Sequence, residues 1–242
     1  MKNKISLFID SGAFSAFTKK VKIDIQEYIK FIKDNVNCIE VYANLDVIGS
    51  AEGTLKNQEI MEKAGLNPLP CFHYGEDIKY LEHYISKYEY IALGGMVPIS
   101  TKDLSVWLDW IFPEYLCDKK GMPKVKVHGF GMTALKLMLR YPWYSVDSTS
   151  WVVAARLGQI YIPKIKSGKY DYKASPWKVI VSEKSPNMKE EGKHFHSFSK
   201  LEREMIINYL GEKSYTVEDL QDYKKRDELN IIYYLDLEKD LP

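Results

Sequence analysis

The sequence predicts an α/β fold and, within that class, a TIM-type (β/α)8 barrel followed by a C-terminal helical extension. Short apolar runs alternate with segments of helical spacing from residue 5 to residue 181. This alternation indicates parallel βαβ units, because each return crossover between parallel strands needs a helix. Seven or eight such units in a chain of 242 residues favour a closed barrel. An open doubly wound sheet is the alternative.

The predicted strands are short and apolar, as the buried strands of a parallel sheet are. They cover residues 5–9, 38–45, 69–72, 90–93, 125–127, 144–146, 160–162 and 177–181. Apolar residues at helical spacing predict the helices between them. These helices cover residues 26–32, 55–64, 78–88, 104–116 and 133–140. Acidic residues with helical periodicity follow from residue 202, so we expect a barrel domain over residues 1–198 and a helical extension packed on it over 199–242.

The composition is that of an ordinary globular protein, with 45% hydrophobic and 28% charged residues. The net charge of +1 neither requires nor excludes nucleic acid, because a local basic face matters more than the sum. Three cysteines far apart form no disulfide framework and no CxxC metal motif. No run approaches the ~20 apolar residues of a membrane span, and the polar N-terminus resembles no cleavable signal. We therefore expect a cytoplasmic protein with no membrane partner.

Reactive side chains and glycines cluster at the ends of the predicted strands. Strands one, two and six end in carboxylates, strands three and five in histidines, and strands four and five in glycines. These residues are Asp10, Asp46, Asp147, His73, His128, Gly94, Gly95 and Gly129. The active site of a β/α barrel lies at this edge. Three buried carboxylates would each cost several kcal/mol unless paired or used, so their convergence predicts a catalytic site.

The pair Asp10 and Asp147 suits glycosidic chemistry, in which one carboxylate attacks the anomeric carbon and the other moves a proton. Aromatic residues flank the same strand ends and could stack on a flat ring, although we expect packing to account for at least half of them. They are Phe14, Tyr42, Phe72, Tyr74, Phe130 and Trp151. Each polar residue also has a simpler interpretation: Asp10 as a turn cap, Asp147 as a helix cap, and His73 and His128 as hydrogen-bonded rim or core histidines.

In these motifs the sequence resembles the tRNA-guanine transglycosylase superfamily over about residues 5–164. The matching segments are Asp10-Ser11-Gly12-Ala13-Phe14, Asp46, Leu93-Gly94-Gly95-Met96, His128-Gly129-Phe130-Gly131 and Ser145-Val146-Asp147-Ser148. The order and spacing of the five segments are more specific than any one of them. A guanine transglycosylase replaces one base on a sugar by another without hydrolysis.

The resemblance implies a role for each matching residue. It makes Asp147 the nucleophile, Asp10 the group that handles the proton of the leaving and entering base, and Asp46 the acceptor for the guanine edge. It also implies that the backbone of Gly94 and Gly95 holds the base and that Phe14, with Tyr42 as a second candidate, stacks on it. His73, His128 and Gly129 line the same rim as further candidates for substrate binding.

The differences from the tRNA enzymes indicate which branch of the superfamily the chain resembles most. The chain lacks their Cys-x-Cys-x-x-Cys zinc cluster and is much shorter, which makes it most similar to the phage-type DNA 7-deazaguanine transglycosylases. Those enzymes exchange guanine in DNA for a free 7-deazaguanine base, such as 7-cyano-7-deazaguanine. We expect no cofactor, with a structural zinc at His194 and His196 as the alternative. Related enzymes commonly dimerise, so a homodimer is one possibility and the oligomeric state stays open. The protein would lie in the host cytoplasm if it is phage-encoded.

Basic residues on either side of the seventh strand, near the rim, are candidates for phosphate contacts. They are Arg156, Lys164, Lys166, Lys169 and Lys173, and a solvated lysine-rich loop is the alternative. Three rival functions stay open: a tRNA-guanine transglycosylase, an N-glycosidase that passes the sugar to water, and a non-catalytic nucleic-acid-binding barrel. Any of the catalytic functions requires a target base outside the helix, through base flipping or a single-stranded substrate.

Overall fold

The computed structural model describes residues 7–186 and 192–241, and it is an α/β protein made of two compact units. The first unit runs to Met132 and also contains Tyr141–Asp147. The second unit contains Thr133–Arg140 and the chain from Ser148 onward. The predicted α/β class is confirmed.

The first unit carries the parallel strands. They are β1 (Leu7–Ile9), β2 (Ile39–Tyr42), β3 (Cys71–His73), β4 (Tyr90–Gly94), β5 (Lys126–Gly129) and β6 (Ser145–Val146). The helices are α1 (Ala13–Thr18), α2 (Ile25–Asn35), α3 (Ala51–Lys63), α4 (Ile78–Lys87) and α5 (Thr101–Ile111), the last followed by a π-helical turn at Phe112–Leu116.

The strands of this unit follow one another in space in the order of the chain. β1 pairs with β2 in parallel, and β3, β4, β5 and β6 form a parallel four-stranded sheet. A parallel bridge between Ala43 and Leu69 joins the chain just after β2 to the chain just before β3. A doubly wound sheet reverses its strand order, and the described strands show no such reversal. All six strands therefore end at the same edge.

Polar side chains define where the helices begin. Asp24, Ser50, Asp77 and Ser100 accept hydrogen bonds from backbone N–H groups in the first turns of α2, α3, α4 and α5, respectively. Such caps satisfy N–H groups that have no partner within the helix. The inner strand β4 shows the complementary pattern, because its residues Ile91, Ala92 and Leu93 are fully buried between β3 and β5.

The second unit mixes helices with antiparallel strands. Its helices are α6 (Leu135–Arg140), α7 (Ser150–Arg156), α8 (Lys200–Glu212) and α9 (Tyr223–Glu238), with short 3-10 turns at Phe195–Ser197 and Asp219–Gln221. Its strands are β7 (Gln159–Ile162), β8 (Lys164–Lys166), β9 (Lys169–Asp171) and β10 (Trp177–Ile180). The helices predicted in the acidic C-terminal segment are confirmed as α8 and α9.

The segment predicted as an eighth parallel strand is antiparallel. β10 pairs with β7 in antiparallel register, and the residues between them form the β8–β9 hairpin. A parallel return needs a crossover of a dozen or more residues, usually helical, whereas here the connecting residues are used by the hairpin. Among the described residues, the strand ladders do not close into a ring, so the (β/α)8 barrel is not confirmed.

The division into two units also differs from the predicted domain boundary at residue 198. The helices α8 and α9 share one buried cluster with β7 and β10, to which Ile160, Val179, Ile206 and Leu229 contribute. Apolar surface buried in one cluster holds these elements together as a unit. The sequence pattern located the two helices, but it could not show which strands they cover.

A buried amide connects α9 to β7 and α7. The side chain of Asn230 is fully buried; its Oδ1 accepts from the backbone N–H of Tyr161, and its Nδ2 donates to the carbonyl oxygens of Trp151 and Gln159. Removing the amide takes away these three hydrogen bonds, and a buried backbone group that loses its partner carries a desolvation cost.

We expect Asn230→Ala to lower the free energy of unfolding by about 3 kcal/mol, because three hydrogen bonds are lost and a cavity is left. Urea unfolding followed by circular dichroism measures the change. The matched control is Asn208→Ala, an exposed asparagine on α8 that should change stability by less than about 0.5 kcal/mol. Equal effects of the two substitutions would contradict the structural role of Asn230.

Across residues 7–186 and 192–241, none of the helices combines the length and the apolar character needed to cross a bilayer.

Candidate active site

Asp147 lies at the end of β6, and a backbone amide holds its carboxylate. Its Oδ1 accepts a hydrogen bond of 2.9 Å from the backbone N–H of Gly131, and the side chain remains 46% exposed. The N-cap residue of α7 is Thr149, whose side chain makes no capping hydrogen bond. The carboxylate of Asp147 is thus engaged in the turn after β5 and open to a ligand, which the helix-cap interpretation did not predict.

His128 lies beside Asp147, and hydrogen bonds on the far side of its ring hold it in place. Its Nδ1 lies 2.7 Å from Ser145 Oγ, which lies 2.6 Å from the hydroxyl of Tyr90. The ring is 2% exposed and stacks on Phe8 with 4.4 Å between centroids. Its Nε2 has no hydrogen-bond partner within the described part of the chain and lies 3.6 Å from Asp147 Oδ1. His128 therefore presents a free ring nitrogen to this carboxylate.

Asp10 follows β1 and sits in the electrostatic field of two other carboxylates. Partial loss of hydration raises the pKa of Asp10 above its ordinary value, and the charges of Asp147 and Asp46 raise it further. The backbone N–H of Gly12 donates to Asp10 Oδ1 at 3.3 Å and opposes the rise. Asp10 thus makes the predicted turn contact while its residue stays exposed to solvent. Asp10 is therefore close enough to Asp147 and Asp46 for their charges to affect its pKa.

Asp46 is bound by His73 at the end of β3. Its Oδ2 lies 3.1 Å from His73 Nε2, and the other ring nitrogen, Nδ1, lies 3.1 Å from Glu76 Oε1. Glu76 Oε2 also accepts from the backbone N–H of His73 at 2.9 Å. Burial lowers the pKa of His73, but its neighbours raise it by more, Cys71 first and then Asp46 and Glu76. The imidazole therefore lies between two carboxylates, with Nδ1 toward Glu76 and Nε2 toward Asp46.

Asp46, Cys71 and His73 are close enough to hold a metal ion. One ligand atom from each residue lies within 4.8 Å of the other two. Sequence reasoning singled out Asp46 and His73 but missed Cys71 and Glu76. The spacing Cys71-x-His73-x-x-Glu76 was the available signal, because it places a thiol, an imidazole and a carboxylate at one strand end.

The predicted glycines are required by close packing. A Cβ atom at Gly94 would lie 2.7 Å from Cys71 Sγ, and one at Gly129 would lie 3.0 Å from the Trp143 ring. The carbonyl oxygen of Gly94 accepts from the backbone N–H of Tyr74 at 3.0 Å. Gly95 has a positive φ of 67°. These contacts supply a packing reason for the glycines whether or not they also hold a base.

The flanking aromatic residues divide into exposed and packed ones. Phe14 on α1 is 53% exposed and is the most exposed of them. Tyr42 packs partly buried against the cluster around α2, and its hydroxyl accepts from the backbone N–H of Asn67 at 2.6 Å. Phe72 is buried against Trp107. Packing thus accounts for Tyr42 and Phe72, as expected for part of this set.

The predicted phosphate contacts lie in the second unit. The register of the β8–β9 hairpin pairs Lys164 with Asp171 and Lys166 with Lys169, so the three exposed lysines share one face. Two like charges directly opposite each other favour an anion between them. Arg156 is the last residue of α7 and is exposed. Burial raises the pKa of Asp227, and the nearby positive charge of Arg156 lowers it.

The histidines proposed for zinc are placed differently. The Nδ1 of the buried His194 accepts from the backbone N–H of His196, and the two ring centroids are 5.1 Å apart. Within residues 7–186 and 192–241, no third His, Cys, Asp or Glu completes a metal group there.

Comparison with protein-family models found no match to this chain, and comparison with curated proteins found none either.

Proposed function

We propose that the first unit is the catalytic part of a guanine transglycosylase that exchanges guanine in DNA for a 7-deazaguanine base. The observation that carries the proposal is the unequal environment of two neighbouring carboxylates. Asp147 is held by an N–H donor and faces an imidazole nitrogen, whereas the pKa of Asp10 is raised. When their environments make the pKa values of two carboxyl groups differ, one can act as an anionic nucleophile and the other as a proton donor.

The proposed reaction is a double displacement. An oxygen of the Asp147 carboxylate attacks C1′ of the target nucleotide, and the bond from C1′ to the guanine nitrogen breaks with its electron pair leaving on the base. Protonated Asp10 gives its proton to the departing guanine. The incoming base returns a proton to Asp10 as its nitrogen attacks C1′, and the ester bond to Asp147 breaks. Both carboxyl groups end in their starting state.

The remaining parts of the fold are consistent with this function. The six parallel strands in chain order support a β/α barrel for the catalytic part, with the site at its carboxyl edge. The exposed ring of Phe14 offers a stacking surface for the base. The lysine face of the β8–β9 hairpin offers charge for phosphates. DNA is proposed over tRNA from the resemblance described above.

The experiment that tests the function is base exchange with a labelled 7-deazaguanine, run in parallel on duplex DNA, single-stranded DNA and tRNA. Label entering DNA supports the proposal, and label entering only tRNA replaces it with the tRNA activity. Incubation without free base separates exchange from hydrolysis, because free guanine and abasic sites would identify an N-glycosidase. No label in any nucleic acid and no released guanine would contradict all the catalytic assignments.

The lysine face makes a separate prediction. We expect the double substitution Lys166→Glu and Lys169→Glu to weaken DNA binding at 100 mM salt by roughly tenfold or more. The log–log salt slope should fall by about two, one for each lysine that no longer meets a phosphate. Fluorescence anisotropy against salt concentration measures both. The control is Lys224→Glu, an exposed lysine on α9, which should leave the slope unchanged. An unchanged slope in the double variant would mean that these lysines are solvated and do not contact phosphates.

A further inference from the structure

We propose that Asp46, Cys71 and His73 bind a divalent transition-metal ion of the zinc class. The three residues come from the segment after β2 and from β3, within the first unit. Their ligand atoms are a carboxylate oxygen, a thiol sulfur and a ring nitrogen. This inference does not rest on the proposed transglycosylase activity.

The spacing of the ligand atoms matches that of a tetrahedral ion. Zinc bonds of about 2.3 Å to sulfur and about 2.0 Å to nitrogen or oxygen place tetrahedral S and N ligands about 3.5 Å apart and N and O ligands about 3.3 Å apart. The distance from Cys71 Sγ to His73 Nε2 is 3.6 Å, and from that nitrogen to Asp46 Oδ2 it is 3.1 Å. The third separation is within 4.8 Å, so only a small approach completes the trio.

The orientation of His73 is that of a metal ligand. Glu76 accepts from Nδ1, which requires a proton on that nitrogen, and leaves Nε2 directed at the thiol and at Asp46. Zinc-bound histidines use this arrangement, in which a carboxylate behind the ring fixes its tautomer and direction.

Two further features indicate a prepared site. Asp46 Oδ1 is buried and has no hydrogen-bond partner in the described chain. Gly94 packs directly against the same donors, because a Cβ there would lie 2.7 Å from Cys71 Sγ and 3.3 Å from His73 Nε2. Only glycine fits beside the sulfur and nitrogen donors at this position.

The donor set selects the ion. Thiolate and imidazole favour zinc and its neighbours, whereas magnesium and calcium prefer sites built of oxygen. Three protein ligands leave a fourth position for water or another ligand, as in catalytic zinc sites. Asp46 would bind through Oδ2 and keep Oδ1 for other contacts, so metal binding and the base-recognition role implied for Asp46 are compatible.

Metal titration of the whole 242-residue chain, without nucleic acid or free base, tests the inference. After removal of bound metal with a chelator, Co²⁺ should bind one ion per chain with visible bands of tetrahedral cobalt and a thiolate charge-transfer band. Zn²⁺ should displace it and raise the Tm, whereas Mg²⁺ should not. We expect Cys71→Ser to abolish the charge-transfer band and His73→Ala to weaken binding at least 100-fold.

Matched variants separate the site from other thiols and histidines. Cys117→Ser removes a buried thiol elsewhere in the first unit, and His196→Ala tests the other histidine pair; both should bind Co²⁺ as the unaltered protein does. Glu76→Gln should weaken binding by 10- to 100-fold, as loss of a carboxylate behind a ligating histidine does. Circular dichroism confirms the fold of each variant. Absence of Co²⁺ binding by the unaltered protein, or a charge-transfer band that survives in folded Cys71→Ser, would overturn the inference whatever the exchange assay shows.

Discussion

Asp147→Asn is expected to lower base exchange by roughly 10⁴-fold or more, as removal of a catalytic nucleophile does. The asparagine oxygen can still accept from the backbone N–H of Gly131, so the turn after β5 should stay in place. What is lost is the negative charge that attacks C1′, because a neutral amide is a poor nucleophile. Incorporation of labelled 7-deazaguanine into DNA measures the rate, and the Tm reports the fold.

The matched control is Asp34→Asn, an exposed aspartate on α2 that pairs with Lys30, and its exchange rate should be unchanged. The covalent step gives a second readout. Without free base, the unaltered protein should form a protein–DNA adduct that survives denaturation, and the Asp147 variant should not. Retained exchange in both Asp147→Asn and Asp147→Ala would remove this residue from the role of nucleophile.

Asp10→Asn is expected to lower exchange by roughly 10²- to 10⁴-fold through loss of proton transfer, while DNA binding remains. The same substitution should stabilise the protein at neutral pH. The folded-state pKa of Asp10 is raised, so its contribution to stability is fully present below the unfolded value, near 3.8, and is lost as the pH rises through the folded value. Above that value the ionised carboxylate is a net cost, which asparagine removes.

The gain should be below about 1 kcal/mol, because solvent screens an exposed carboxylate. That corresponds to about 2 °C in Tm for a chain of this size. Thermal unfolding from pH 4.5 to pH 8 measures it, and the difference from the unaltered protein should shrink as the pH falls. Asp34→Asn is again the control. A variant less stable than the unaltered protein at pH 8 would show that the Gly12 contact outweighs burial and repulsion at Asp10.

The parallel half of the fold could be predicted because its signals are local. Apolar runs such as 90–93 are buried on both faces, and capped segments such as α2 and α4 start at a side chain that the sequence displays. The β8–β9 hairpin could not be predicted in this way. Its lysines read as a loop, and only the register that pairs Lys166 with Lys169 shows a strand. The sharing of one core by α8, α9 and β7 depends on tertiary contacts with no sequence period.

The candidate site could be predicted as far as the strand-end rule reaches. That rule identified Asp10, Asp147 and His128, because parallel strands bring their carboxyl ends to one edge. It missed Cys71, which reads as an apolar residue inside a strand. The sequence also made Tyr42 a second stacking candidate, but it did not show that the Tyr42 hydroxyl accepts from the backbone N–H of Asn67. Partners far apart in the chain were the information that was lacking.

The chain of hydroxyl groups behind His128 has a direction. Each hydroxyl carries one proton, so Ser145 can donate either to the imidazole or to Tyr90, but not to both at once. When the protons run from phenol to serine to ring, the imidazole carries its hydrogen on the side of Asp147; when they run the other way, it turns a lone pair toward that carboxylate. The direction of the hydrogen bond between Tyr90 on β4 and Ser145 is thereby linked to whether His128 offers Asp147, the proposed nucleophile, an N–H donor or a lone pair.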